Sequence, residues 1–307
     1  GIRYVIDPGL VRISRYSVRS KVQRLPVERI SQASANQRKG RCGRVADGIC
    51  IRLYSEEDFN ARPEFTDPEI HRTSLSSVLL NMAQLKLGKV QSFPFIEPPE
   101  DKAVNDGYRQ LIEIGALDDK KNLTEAGRDL ARLPLEPRIA KMVLEAKKNN
   151  VLAEVVVIAA ALSIQDPREI NESTMQAARQ AHKPFEDERS DFLFFLNLWH
   201  FYEHQRRHLS QSKLRKLCKT HFLNYMRMKE WHELTMQLEM SLKRSAIKVP
   251  PLHLFEEVRN PKSPQEVTER LSDLHSINVH RSLLAGLLGN ISMREDDKSY
   301  LGARNTK

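Results

Sequence analysis

Residues 37–44 read Gln37-Arg38-Lys39-Gly40-Arg41-Cys42-Gly43-Arg44. Whatever fold the chain takes has to accommodate three arginines and two glycines in eight positions. Arginine carries a permanent charge on a planar fork that matches phosphate oxygens in pairs. Glycine lets the backbone approach closely and turn sharply. Together they offer the chemistry of a phosphate sensor. The plainer alternative is a solvated basic loop or helix start.

The charge of the chain points the same way. Net charge is +9 over 307 residues, yet residues 1–50 alone hold 11 Lys/Arg against 3 Asp/Glu, or +8. Basicity packed into one segment suggests a local polyanion site, whether nucleotide, nucleic acid or both. A length of 307 residues suits two or three domains. No signal peptide is recognisable. The longest apolar run, Val151–Leu162, is interrupted by Glu154 and too short to span a bilayer, so no membrane partner is expected. The three cysteines, Cys42, Cys50 and Cys218, have no metal-ligand spacing and fit a reduced, cytoplasmic setting.

The fold class expected is multidomain, mainly α with an α/β start. Ile2–Asp7 is a short apolar run closed by Pro8-Gly9, which fits a strand buried on both faces. Gly48–Tyr54 reads as a second such strand, followed by an acidic helix start at Ser55-Glu56-Glu57. Between them, Tyr16–Ile30 mixes apolar and basic residues as a β-hairpin would, and Ser31–Gln37 begins a helix that runs through the Arg/Gly octet. Asp67-Pro68-Glu69 has the form of a helix opening, continued by Leu75, Val78, Leu79, Met82 and Leu85 and stopped at Gly88. A helix carrying Val104, Leu111 and Ile112, a turn at Asp118–Asn122 and a helix from Thr124-Glu125 to Pro134 complete a small winged-helix pattern.

From Pro137 to about Lys243 the reading is helical throughout, a bundle. Ser190-Asp191 caps an aromatic helix, Phe192–Tyr202, whose spacing favours core packing over base stacking. Leu214, Leu217, Phe222, Tyr225 and Met228 mark one further helix running on through Leu242. Ser263-Pro264-Gln265-Glu266 forms a capping box, opening a helix with Val267, Leu271 and Leu274. Asn290–Arg294 and Ser299–Ala303 flank a possible hairpin turn.

These segments, in this order, resemble the DEAH-box ATP-dependent RNA helicases, and within them the bacterial HrpA type. YVIDPG at 4–9 is similar to the segment after that family's motif V, and SQASANQRKGRCGR at 31–44 to motif VI. PEIHRTSLSSVLL at 68–80 and LTEAGRDLARLPLEP at 123–137 resemble the start and end of its winged helix. ALSIQDPRE at 161–169 and SDFLFFLNLW at 190–199 resemble its ratchet-like helical domain, and the last stretch the entry to its OB-fold.

The resemblance implies the end of a second RecA-like domain over 1–62, a winged helix over 63–135, the ratchet-like bundle over 136–276 and the start of an OB-fold over 277–307. It implies that Gln37, Gly40, Arg41 and Arg44 face ATP, with Arg41 and Arg44 as catalytic arginine fingers on the γ-phosphate. Arg38 is expected to brace the motif internally, while Gly40 and Gly43 keep the helix entry open to phosphates. The hairpin residues Arg15, Arg19, Lys21, Arg24 and Arg29 are expected to contact nucleic acid, RNA before DNA and single strands first. Their plain alternative is an edge that blocks sheet-to-sheet pairing.

ATP with Mg²⁺ is the implied cofactor of the full-length enzyme. No G-x-x-x-x-G-K-[ST] and no Asp-Glu-Ala-His occur, so the magnesium ligands lie outside this sequence. The chain therefore reads as a C-terminal fragment, missing the N-terminal RecA-like domain as partner and inactive in ATP hydrolysis by itself. Strands without their sheet neighbours are expected to leave 1–60 poorly ordered or paired with another chain. The competing reading is a stand-alone nucleic-acid-binding or regulatory module without a motor.

His200, His204 and His208 recur at i, i+4, i+8, but the only interleaved glutamate, Glu203, precedes the second histidine, so a solvated or half-packed face is expected, not a metal site. Arg206, Arg207, Lys213, Arg215, Lys216 and Lys219 are either a wall of an RNA channel or a solvated face.

Overall fold

The computed structural model describes residues 1–17, 22–24, 26–188, 190–252, 273–295 and 299–302. It divides into two compact units, Gly1–Gln110 and Leu111–Lys307.

The first unit is built on a two-stranded parallel sheet, β1 (Tyr4–Asp7) beside β6 (Ile49–Arg52), in register Tyr4 to Ile49 and Asp7 to Arg52. A β-hairpin lies between them in sequence. β2 (Leu10–Arg12) pairs antiparallel with β5 (Val27–Arg29), and β3 (Arg15–Ser17) with β4 (Val22–Arg24). The hairpin thus starts at Leu10, earlier than its charge pattern suggested. α1 (Gln32–Lys39) follows, capped by Ser31, whose hydroxyl accepts from the Ser34 N–H. It ends at Lys39, so the helix does not run through the octet. Arg41–Arg44 form turns and bends instead.

Burial of both strand faces is also overturned: Tyr4, Ile6, Ile49 and Ile51 are all more than half exposed. A strand is buried on both faces only between two covering layers. Here α1 packs on β1, and the opposite, apolar face is left open.

Downstream, Ser55 caps α2 (Glu56–Asn60). The Asp-Pro-Glu opening makes only a 3₁₀ turn at Glu69–His71, and the helix proper, α3 (Ser76–Gln84), begins five residues later. Asp67 accepts from Arg15 at 2.6 Å, and its backbone carbonyl accepts from Arg72 at 3.1 Å. α3 buries Leu79, Leu80 and Met82 but leaves Leu85 exposed. α4 (Asp101–Glu113) anchors the hairpin: Tyr16 Oη lies 3.2 Å from Asp106 Oδ2, and the Gln110 amide donates to both, at 2.7 Å each.

The second unit is helical. α5 (Glu125–Ala131) is capped by Thr124 and preceded by the turn closed by the Leu117–Leu123 bridge. Its bundle consists of α6 (Pro137–Lys148), α7 (Leu152–Ser163), α8 (Met175–His182), α9 (Asp191–His208), α10 (Gln211–Thr220), α11 (Tyr225–Arg244) and α12 (Asp273–Leu284). α7 is buried all round from Leu152 to Ala161 and packs against α6, α9, α11 and α12. A helix apolar on every side has to be the core of such a bundle. The indole N–H of buried Trp231 on α11 donates to the Val157 carbonyl at 2.9 Å, and Glu154 of α7 meets His275 of α12 at 3.1 Å.

The single helix expected from Leu214 to Leu242 is two, α10 and α11. The chain breaks at Phe222, whose φ of 52° no helix interior tolerates. The turn there is gripped by the loop after α7, through Glu169 N to Phe222 O and Asn224 N to Pro167 O, both 2.8 Å. The capping box at 263–266 lies outside the described residues. Leu274 does fall in α12 but is 69% exposed, so it is not part of the apolar face expected. The boundary expected at 276 falls inside α12, which packs on α6. β7 (Ser292–Arg294) and β8 (Tyr300–Gly302) pair as the antiparallel hairpin expected there.

Candidate functional site: the Arg/Gly octet and its support

The site starts from β1. Its last residue, Asp7, is wholly buried, and Pro8-Gly9 turns the chain with Gly9 at φ 72°. A Cβ on Gly9 would lie 2.7 Å from the Tyr54 ring and the Arg62 guanidinium, so glycine is required here for both conformation and space. The Asp7 carboxylate accepts from Gly9 N at 2.9 Å, Tyr54 Oη at 2.8 Å and Arg38 Nη1 at 2.7 Å. Burial pushes this carboxyl up. The Gly9 N–H, Tyr54 and Arg38 outweigh it and hold the group below its ordinary value. Burial, and then Asp7, push the Tyr54 phenol up. Arg62 stacks on the Tyr54 ring at 3.9 Å and donates to the Gly9 carbonyl at 3.0 Å and to Asp58 at 2.6 Å.

Against this base the octet divides into two sets. Arg38 points inward, donating from Nη1 to Asp7 and from Nη2 to the Leu10 carbonyl at 2.9 Å. Cys42 is buried, its thiol donating to the Lys39 carbonyl at 3.0 Å. Gln37, Gly40, Arg41, Gly43 and Arg44 are exposed. Among the described residues, neither Arg41 nor Arg44 has an ion-pair partner. Gly40 sits at φ −64°, ordinary helical backbone, and a Cβ there would meet nothing nearer than 3.5 Å. One on Gly43 would meet nothing within 4 Å. The fold itself therefore requires glycine at neither position.

Asp7, Tyr54 and Arg62 were missed by sequence reasoning. Only the Asp-Pro-Gly turn hinted at the first, and no local signal marks the other two. The hairpin cations are unevenly placed. Arg15 is held by Glu28 at 2.8 Å and Asp67 at 2.6 Å, and Arg29 reaches Asp58 at 2.9 Å while remaining largely exposed. Arg24 belongs to β4, and Arg19 and Lys21 lie outside the described residues.

In the helical unit, Phe194, Phe195, Trp199, Phe201 and Tyr202 are buried. His204 and His208 stack at 4.4 Å. No His/Cys/Asp/Glu group among the described residues is arranged to hold a metal ion. Nor is any described helix long and apolar enough to cross a membrane.

Comparison with known proteins places the helical parts. Residues 108–135 match the winged-helix part, and 136–195 the ratchet-like part, of the helicase associated domain HA2. The chain is 50% identical over 313 residues to the ATP-dependent RNA helicase HrpA of Escherichia coli, covering 100% of this chain and 22% of that protein. It is 47% identical over 312 residues to the HrpA homolog of Haemophilus influenzae, covering 99% of this chain and 22% of that one. A probable ATP-dependent RNA helicase of Homo sapiens, DHX34, is 36% identical over 239 residues, 78% of this chain and 21% of the relative. The chain thus spans about a fifth of the length of the relatives it matches. On these similarities it belongs to the DEAH-box helicases of the HrpA type, and corresponds to a stretch of them that carries the winged-helix and ratchet-like domains.

Proposed function

We propose that the chain is part of an ATP-dependent RNA helicase and supplies its arginine fingers. The observation that carries this reading is the division of the octet. Arg38 and Cys42 are spent on holding the turn, while Arg41 and Arg44 stand exposed with no ion-pair partner among the described residues. Residues 1–62 are then the end of a RecA-like domain and 63–135 the winged helix, while the bundle runs from 136 through α12 and the start of an OB-fold follows it. Gln37 orients the nucleotide. Arg41 and Arg44 meet the γ-phosphate and stabilise charge that develops as it is transferred, an effect worth roughly 10³–10⁵ in rate. Exposed Gly40 and Gly43 let phosphates approach the backbone without a side chain in the way.

The cationic octet fits a triphosphate. Its positive charge does not suit Mg²⁺. RNA meets the hairpin through Arg19, Lys21, Arg24 and Arg29. The Arg15 fork, occupied by two carboxylates, holds the hairpin in shape.

In the complete helicase, Arg41→Ala and Arg44→Ala are each expected to lower kcat for ATP hydrolysis by about 10³-fold or more while RNA affinity changes by only a few-fold. Hydrolysis at the unsubstituted rate in both variants would overturn the reading.

A further inference from the structure

We propose that the corner formed by the end of α9 and the outer face of α10 is a docking surface for the sugar-phosphate backbone of RNA, built on Arg207, Lys213, Lys216 and Lys219. This rests on the RNA-binding reading above and adds a surface separate from the hairpin.

The overall charge hides this patch. Between Glu203 and Glu230 lie 26 residues with eight Lys/Arg and no Asp or Glu. The chain totals +9, with +8 in residues 1–50 and +8 in 204–229, so the other 231 residues are net −7. A solvated face ordinarily mixes both signs, because a single-sign patch repels itself and lowers stability.

The structure turns this run into a surface. α10 buries Leu214 and Cys218 on one side. Lys213, Lys216 and Lys219, at i, i+3 and i+6, fall on the opposite side, about 4.5 Å apart along the axis, and all three are exposed. Ser210 caps the helix by accepting from the Lys213 N–H, which fixes where the stripe begins. Arg207, in the last turn of α9, is exposed as well.

Not every cation of the run is available. Arg206 is bound to Glu203 through two hydrogen bonds of 2.9 and 3.0 Å, and Arg215 lies over the Tyr225 ring at 5.0 Å. Arg207, Lys213, Lys216 and Lys219 have no ion-pair partner among the described residues.

A nucleic acid suits this surface better than an acidic protein. Protein interfaces are organised around a buried apolar and aromatic centre. Among residues 204–229 the only exposed large apolar side chain is Met226. Surfaces that meet phosphates are instead polar and strongly positive, which describes this one.

The test is binding of the chain to a labelled single-stranded RNA over a range of salt, comparing the native protein with the triple variant Lys213→Gln, Lys216→Gln, Lys219→Gln. Each lost contact to a single strand lowers the slope of log K against log salt by about 0.7. The slope should therefore fall by about 2, and affinity at 0.1 M salt by about 100-fold. The variant carrying arginine at the same three positions should keep the native slope, and coincident thermal unfolding would show that all three proteins are folded. The same loss on single-stranded DNA of equal sequence supports phosphate contact.

An unchanged slope and affinity in a native protein that binds RNA would overturn this surface and leave the RNA-binding reading standing. A native chain with no RNA affinity at all would overturn both. A polyglutamate chain that binds as tightly as RNA, and is released by the same substitutions, would overturn the nucleic-acid assignment.

Discussion

Arg38 donates to the buried carboxylate of Asp7 at 2.7 Å, tying the helix that leads into the octet to the end of the first strand, 31 residues earlier. The pair sets the attitude of α1. Its fork is completed by the Leu10 carbonyl, so one guanidinium fastens strand, turn and helix together.

Removing one partner of such a pair leaves a buried charge unmet. Arg38→Ala should destabilise the first unit by about 2 kcal/mol, less than a fully buried pair because Arg38 is one-third exposed. The sign of the pH dependence follows from the depressed carboxyl. Its contribution is fully present above the unfolded value near pH 4, and is lost as pH falls through the lower folded value. Urea unfolding of Asp7→Asn should accordingly show a shallower loss of stability below about pH 4.

Gly9 and Gly43 should behave oppositely on substitution. Gly9→Ala forces a Cβ against Tyr54 and Arg62 at φ 72°, and should cost about 1–3 kcal/mol or prevent folding. Gly43→Ala meets nothing and should leave the unfolding midpoint within about 0.5 kcal/mol of native. A large loss of ATP hydrolysis with Gly43→Ala in the complete helicase, at unchanged stability, is the result expected if phosphate approaches there.

His200 gives the helical unit an acid sensitivity. Burial, with smaller contributions from His204 and Arg207, lowers its pKa from 6.5 to about 4. The unfolded chain then binds a proton that the folded one refuses between those values, so stability falls as pH drops from about 6.5 to about 4. His200→Leu should flatten the melting temperature across that window, measured at intervals of half a pH unit. A profile identical to the native one would refute the assignment.

The end of α11 leaves room for improvement. Ala246 adopts φ 59° with its N–H on the Lys243 carbonyl, and Ile247 N reaches the Leu242 carbonyl at 2.8 Å, a Schellman arrangement in which glycine is favoured. Ala246→Gly should raise stability by about 0.5–1 kcal/mol, read as a higher urea midpoint at unchanged slope.

What the sequence determined by itself was local. Ser31, Ser55, Thr124 and Ser190, the residues at which the sequence starts helices, are their N-caps, because a cap needs only an N–H two or three residues away. The apolar run at 151–162, broken only by Glu154, announced a buried helix, because no other environment satisfies it. The octet's cationic chemistry was legible for the same reason. Its geometry was not.

The tertiary structure decided which octet residues turn inward, since the partners of Arg38, Asp7 and Leu10, stand at least 28 residues away. It also placed Tyr54 and Arg62 beneath the turn and left the strands open on one face, where composition alone implied burial. The break at Phe222 belongs to the same class. Apolar periodicity continues across it, and the chain turns there because the loop after α7 captures its backbone. Periodicity records which side of an element is apolar. Whether another layer exists to cover that side, and which distant backbone group competes for a hydrogen bond, is settled only when the chain has folded.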